Sequence, residues 1–296
     1  MSSRIFRALM VAGLALSAAC GSRISETEHR QALTRAQLAS SMLMESEFSS
    51  ALREARRSVE LDPECADCRY TLATVYSSRG EWDEAEAELR RVLELDSDHS
   101  YAHNQLAVVY MNTGRAAEAE VQARLAAEDE EFPGRHLAFY NLGWSFLERR
   151  RYEEALEAFG RALRENPQMC SAEYRIGEVY FRQRNYEEAV AHLQQAVAPP
   201  ETEDRPMTEG QHEVQHCMNM PDAHHLLGMA LLAIGDSERA REAFERCVEL
   251  ATPRTPLGRR CGQNLDRLES PEGPESTESP ESTESPESTE SPESQE

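Results

Sequence analysis

Cysteine, histidine and methionine are the residues of this chain whose types and spacing suit chemistry. Seven cysteines occur. Cys20 stands alone near the start, Cys65 and Cys68 form a Cys-x-x-Cys pair, and Cys170, Cys217, Cys247 and Cys261 are scattered. A Cys-x-x-Cys pair fits a short disulfide, a redox couple or half of a zinc site. The alternating strand–helix context of a redox couple is missing here, and no second Cys-x-x-Cys completes a zinc tetrad. A structural disulfide is therefore the expectation, with metal and redox chemistry as the other readings. His212, His216, Cys217, Met218, Met220, His224 and His225 crowd one short stretch. His212 and His216, four apart, would share a helix face and suit a soft metal. The plainer reading is a polar loop carrying one disulfide, so no cofactor is expected.

Catalytic signatures are missing. The sequence has no Gly-x-Ser-x-Gly, Gly-x-Gly-x-x-Gly, His-Glu-x-x-His or Walker motif. All 31 basic residues are Arg, which removes lysine-based catalysis. Glu84, Glu86 and Glu88, like Glu153 and Glu154, fall at the spacing of solvated helix faces. A net charge of −23 argues against nucleic acid as a partner. The chain reads as a binding protein, not an enzyme.

The elements that position these residues repeat. Leu38-Ala39, Leu72-Ala73, Leu106-Ala107, Leu142-Gly143, Ile176-Gly177 and Leu227-Gly228 are spaced by 34, 34, 36, 34 and 51 residues. Three residues after each small residue comes a larger apolar one: Met42, Tyr76, Tyr110, Phe146, Tyr180 and Leu231. Twelve after it comes an alanine: Ala51, Ala85, Ala119, Ala155, Ala189 and Ala240. Pro63, Pro167 and Pro253 stand where a helix must stop.

This pattern resembles the tetratricopeptide repeat over residues 32–252. The resemblance implies an all-α, right-handed superhelix of six helix-turn-helix repeats with a C-terminal capping helix. The units read as 32–65, 66–99, 100–135, 136–169, 170–203 and 221–252, with an insertion at 204–220 and the capping helix at 253–268. In that geometry Cys247 and Cys261 are placed to pair, and so are Cys170 and Cys217, which leaves Cys65 with Cys68. Four columns on the first helix of each unit are expected to line the concave wall. Among them are Tyr70, Thr74, Tyr101, Asn104, Val108, Met111, Tyr140, Trp144, Leu147, Tyr174 and Phe181. No arginine falls in these columns. An aromatic groove of this kind suits an amphipathic helix or an apolar extended segment of a protein partner.

The two ends differ from the middle. Residues 1–19 carry Arg4 and Arg7, then an apolar run too short to span a bilayer, then small residues, as a secretory signal does. Cys20 directly after them resembles the bacterial lipobox, which implies lipidation of Cys20, with palmitate among the chains, a linker over 20–31, and a membrane anchor at the N-terminus. Gly21 in place of Asp implies the outer membrane, periplasmic face. Residues 269–296 place a Glu at every third position among Ser, Thr and Pro, and are expected to be a disordered acidic tail.

A lipobox followed by six such units resembles the PilF/PilW/Tgl group of type IV pilus pilotin lipoproteins. That resemblance implies a scaffold acting in secretin localisation or multimerisation, with the secretin or another outer-membrane client as partner. Two alternatives stay open: another periplasmic repeat lipoprotein, such as a β-barrel assembly accessory subunit, and a metal-binding protein using the His/Cys/Met insertion.

Overall fold

The computed structural model describes residues 24–198 and 219–269. Cys20, His212, His216, Cys217 and the acidic tail lie outside the described residues. Among the described residues there are thirteen α-helices and no strand. They are α1 (Glu26–Met44), α2 (Phe48–Leu61), α3 (Ala66–Ser78), α4 (Trp82–Leu95), α5 (Ser100–Asn112), α6 (Ala116–Glu128) and α7 (Arg135–Glu148). Then follow α8 (Tyr152–Glu165), α9 (Cys170–Arg182), α10 (Tyr186–Val197), α11 (Pro221–Ala233), α12 (Ser237–Leu250) and α13 (Pro256–Glu269).

The first helix begins at Glu26, so residues 26–31 are helical and not the linker expected there. The reason is local. Ser25 accepts the N–H of Glu28 at 3.2 Å, and Glu28 accepts the N–H of Ser25 at 2.8 Å. This capping box satisfies two donors that a helix start otherwise leaves bare.

Each pair closes through one residue with positive φ: Ser46, Gly80, Gly114, Arg150, Arg184 and Gly235. Each stands seven residues beyond the small residue of its unit. Glycine adopts this left-handed conformation freely, whereas Ser46, Arg150 and Arg184 hold it under strain.

The helices of a pair touch closely because the marked residue is small. A Cβ built on Gly143 would stand 2.7 Å from the ring of Phe159, and one on Gly228 2.7 Å from that of Phe244. Both rings are fully buried and have nowhere to retreat. Where a unit carries alanine instead, the corresponding second-helix residue is Ala55 after Ala39 and Ala123 after Ala107, whereas after Ala73 it is the buried Leu89.

Pairs then stack. The first helices of successive units (α1, α3, α5, α7, α9 and α11) pack on one another, whereas the second helices do so only through the intervening first helix. The array therefore curves with the first helices on its inner wall. One apolar core runs from Ala39 to Val179 and a second from Ala189 to Phe244, and the Tyr180 side chain packs against both. At the far end α13 buries Cys261, disulfide-bonded to Cys247, and lays Leu265 and Leu268 on the second core. No described helix is long and apolar enough to cross a membrane.

Gly143→Ala should lower the urea midpoint. Overpacking costs about 1–3 kcal/mol, against a helix-propensity gain of about 1 kcal/mol. Arg150→Gly, at φ 57°, should raise that midpoint, because relieving a left-handed residue is worth about 1–2 kcal/mol.

Candidate partner-binding groove

The inner wall carries two aromatic clusters. In the first, Tyr70 of α3 lies 6.0 Å from Tyr101 of α5, and the edge of Tyr101 meets Phe132 at 4.8 Å, ring centre to ring centre. His99 fills the space beside Tyr70 at 5.4 Å. Tyr101 is 46% exposed and Leu137 of α7 is 40% exposed, so apolar surface faces outward there. Burial is the largest influence on Tyr70 and pushes its phenol up, although the Thr74 hydroxyl works against that.

The second cluster is built around an arginine. Arg175 of α9 donates from Nε to the Tyr140 hydroxyl at 3.1 Å and from Nη1 to Glu178 at 2.7 Å. Its guanidinium stands 4.9 Å from the centre of Trp144 and 5.4 Å from that of Tyr174. The side chain is only 19% exposed. Burial alone would pull the guanidinium down, but Tyr140 and Glu178 outweigh it and hold its pKa above the ordinary value. Burial, followed by the charge of Glu178, pushes the Tyr174 phenol up to about 12.

Between the clusters, Asn141 donates to Asn104 at 2.8 Å and ties α7 to α5. Beside the second cluster a cavity of about 750 Å³ opens between the ends of α5, α7 and α9. Met111 and Trp144 form its apolar side, and Arg115, Arg149, Arg175 and Arg182 alternate with Glu118, Glu148 and Glu178 around the rest. Arg182 is held by Glu178 at 2.6 Å. The groove thus has an apolar section at Tyr101 and Leu137 and a charged section at Arg175. Together they suit a partner segment with an apolar stripe and polar groups beside it.

Several expected groove residues sit elsewhere. Leu147 is 0% exposed and belongs to the core. Met111 is 7% exposed, a core residue with only an edge on the cavity. Phe181 packs edge-on against Tyr186 at 5.5 Å, and Tyr174 leans on the second core. Thr74 donates its hydroxyl back to the Tyr70 carbonyl at 2.9 Å. Val108 and Asn104 are half-buried on α5. Arg175 stands outside the four columns, and its side chain reaches the aromatic wall beside Tyr140 and Trp144, where the column reading placed no arginine. The available signal was Glu178, which did fall in a groove column and has Arg175 three residues before it, at ion-pair spacing.

Cys65 and Cys68 are disulfide-bonded, with Cα atoms 5.3 Å apart. Cys170 is also disulfide-bonded, while Cys217 lies outside the described residues.

Four tetratricopeptide-repeat models match the chain, at residues 42–104, 100–124, 140–205 and 221–252, together more than half of it. The chain is a tetratricopeptide-repeat protein. Arrays of this family generally serve as non-enzymatic scaffolds that bind protein partners. Pseudomonas aeruginosa PilF has a similar fold, at TM-score 0.64 and 20% identity, over 80% of this chain and 99% of that one. PilW, a widely conserved type IV pilus biogenesis factor, matches at 0.65 and 16%, over 77% and 97%. Cut9–Hcn1 of the APC/C matches at 0.67 and 17%, over 83% of this chain and 44% of that one. No curated protein matches the chain in sequence. At these identities the structural likenesses establish the repeat fold.

Tyr174 tests the geometry of the second cluster. Its folded pKa lies above its unfolded value, so its contribution to stability is complete below about pH 10 and is lost as the pH climbs toward 12. At about pH 11, ultraviolet difference spectra should show fewer phenols ionised than in ordinary solution, with Tyr174 and Tyr70 held back, and the deficit should shrink by about one phenol in Tyr174→Phe.

Proposed function

We propose that this repeat array is an outer-membrane-anchored scaffold of the pilotin kind. It holds an apolar segment of the type IV pilus secretin and promotes the secretin's localisation or multimerisation. The observation that carries the proposal is that the array matches PilF and PilW over nearly the whole length of each. The lipobox-like Cys20 supports it from the sequence side.

The mechanism is tethering. Acylation of Cys20 confines the array to the periplasmic face of the outer membrane and raises its effective concentration near outer-membrane clients. Tyr101 and Leu137 then take the apolar stripe of the client, and the arginines and glutamates around Arg175 fix its register. Holding such a stripe keeps it from aggregating until it is buried in the assembled ring.

Two replacements separate the groove from the anchor. Tyr101→Ala with Trp144→Ala should weaken capture of purified secretin by about thirtyfold, near 2 kcal/mol, as aromatic truncation at an interface centre does. Cys20→Ser should leave that affinity intact and release the protein from the membrane fraction. Normal secretin multimers in cells lacking the chain would refute the proposal.

A further inference from the structure

The Cys65–Cys68 pair lacks a second Cys-x-x-Cys in sequence, but the fold brings other ligands to it. Asp62 ends α2, Cys65 caps α3, and His29 lies on the first turn of α1. The ligand atoms of His29, Asp62 and Cys65 all lie within 4.8 Å of one another. His29 Nδ1 is 2.5 Å from Asp62 Oδ2, and the other Asp62 oxygen accepts the Glu64 N–H at 3.0 Å. Cys68 is tied to Cys65 by the disulfide itself. Three chain segments thus contribute one imidazole, one carboxylate and two sulfurs to one spot.

We propose that reduction of the Cys65–Cys68 disulfide turns this spot into a tetrahedral zinc site, with His29, Asp62, Cys65 and Cys68 as ligands. The set has the mixture of nitrogen, oxygen and thiolate that zinc takes, at bond lengths of about 2.0–2.3 Å. Two ligands of one tetrahedral ion therefore stand about 3.3–3.8 Å apart, so the three atoms, which lie within 4.8 Å of one another, need to move by no more than about 1–1.5 Å to take an ion. The Cys68 N–H points at the Cys65 sulfur at 3.1 Å, at the positive end of α3, which favours a thiolate there. The Glu64 N–H holds Asp62 from behind, as the supporting partners of metal ligands do.

The step balances. A dithiol reductant gives two electrons and two protons to the Cys65–Cys68 bond and itself becomes a disulfide. Zinc then displaces both thiol protons to solvent. In the oxidised state His29 touches the site through Asp62. In the reduced, zinc-bound state it would be ligated directly, so α1 stays clipped to the junction of units one and two in both. Both cysteines are buried, at 4% and 0% exposure, so reductant enters when α1 lifts. α1 is the end helix of the described array, and no other described helix than α2 and α3 packs on it.

The test uses the full chain, reduced with excess tris(2-carboxyethyl)phosphine under argon and titrated with Co²⁺ as the probe, with thiols counted in parallel. The expected result is one equivalent of cobalt with the thiolate charge-transfer band and the strong visible bands of a tetrahedral ion. Zinc should bleach those bands by competition. His29→Ala, a half-exposed position whose loss leaves the helices standing by circular dichroism, should weaken binding by about tenfold or more. Cys65→Ser should abolish the charge-transfer band. Unchanged spectra in both variants would place the ion on the other freed thiols and overturn the proposal. So would a silent titration of the fully reduced protein, or a Cys65–Cys68 bond that resists the phosphine.

Discussion

The whole molecule depends on how closely the two helices of a unit approach. Gly143 against Phe159, Gly177 against Leu193 and Gly228 against Phe244 bring backbone to within side-chain reach of the facing helix. That approach sets the tilt of each pair, and the tilt repeated six times sets the curvature. A single pair buries too little apolar surface to stand alone, so each unit borrows its neighbour. The leucine column records this. Leu72, Leu106 and Leu142 are 3%, 2% and 6% exposed, whereas Leu38 in the end unit is 45% exposed. The same side chain at the same register is core or surface according to whether a unit precedes it.

Curvature in turn makes the groove. First helices crowd together on the inner wall, so aromatic residues from successive units meet there, as Tyr70, Tyr101 and Phe132 do. Polar side chains fixed between helices keep the wall rigid. Arg175 joins α9 to Tyr140 of α7, and Asn141 joins α7 to Asn104 of α5. A wall of this kind can hold a partner without first ordering itself, which spares the entropy that a flexible site loses on binding. Two disulfides lie toward the ends: one at the junction of units one and two, the other clipping the capping helix.

Much of the fold was legible in the chain because helix pairs leave a one-dimensional trace. The small residue, the large apolar residue three on and the alanine twelve on each answer to one contact inside a unit. Groove residues were legible only in part, for a physical reason. A column on a helix names a direction, and Leu147 shares its column pattern with Trp144 but is fully buried in the core, where Trp144 is only partly so. Arg175 points between two columns and reaches the wall through its length.

The sequence by itself determined the number of helix pairs, their order and the disulfide-rich character of the chain, because these rest on contacts between residues close in register. Only the tertiary structure decided which aromatics face outward, that an arginine sits among them, and that His29 and Asp62 stand beside Cys65. Those outcomes depend on how far each unit rotates on the last, a quantity summed over many small packing contacts and written at no single position.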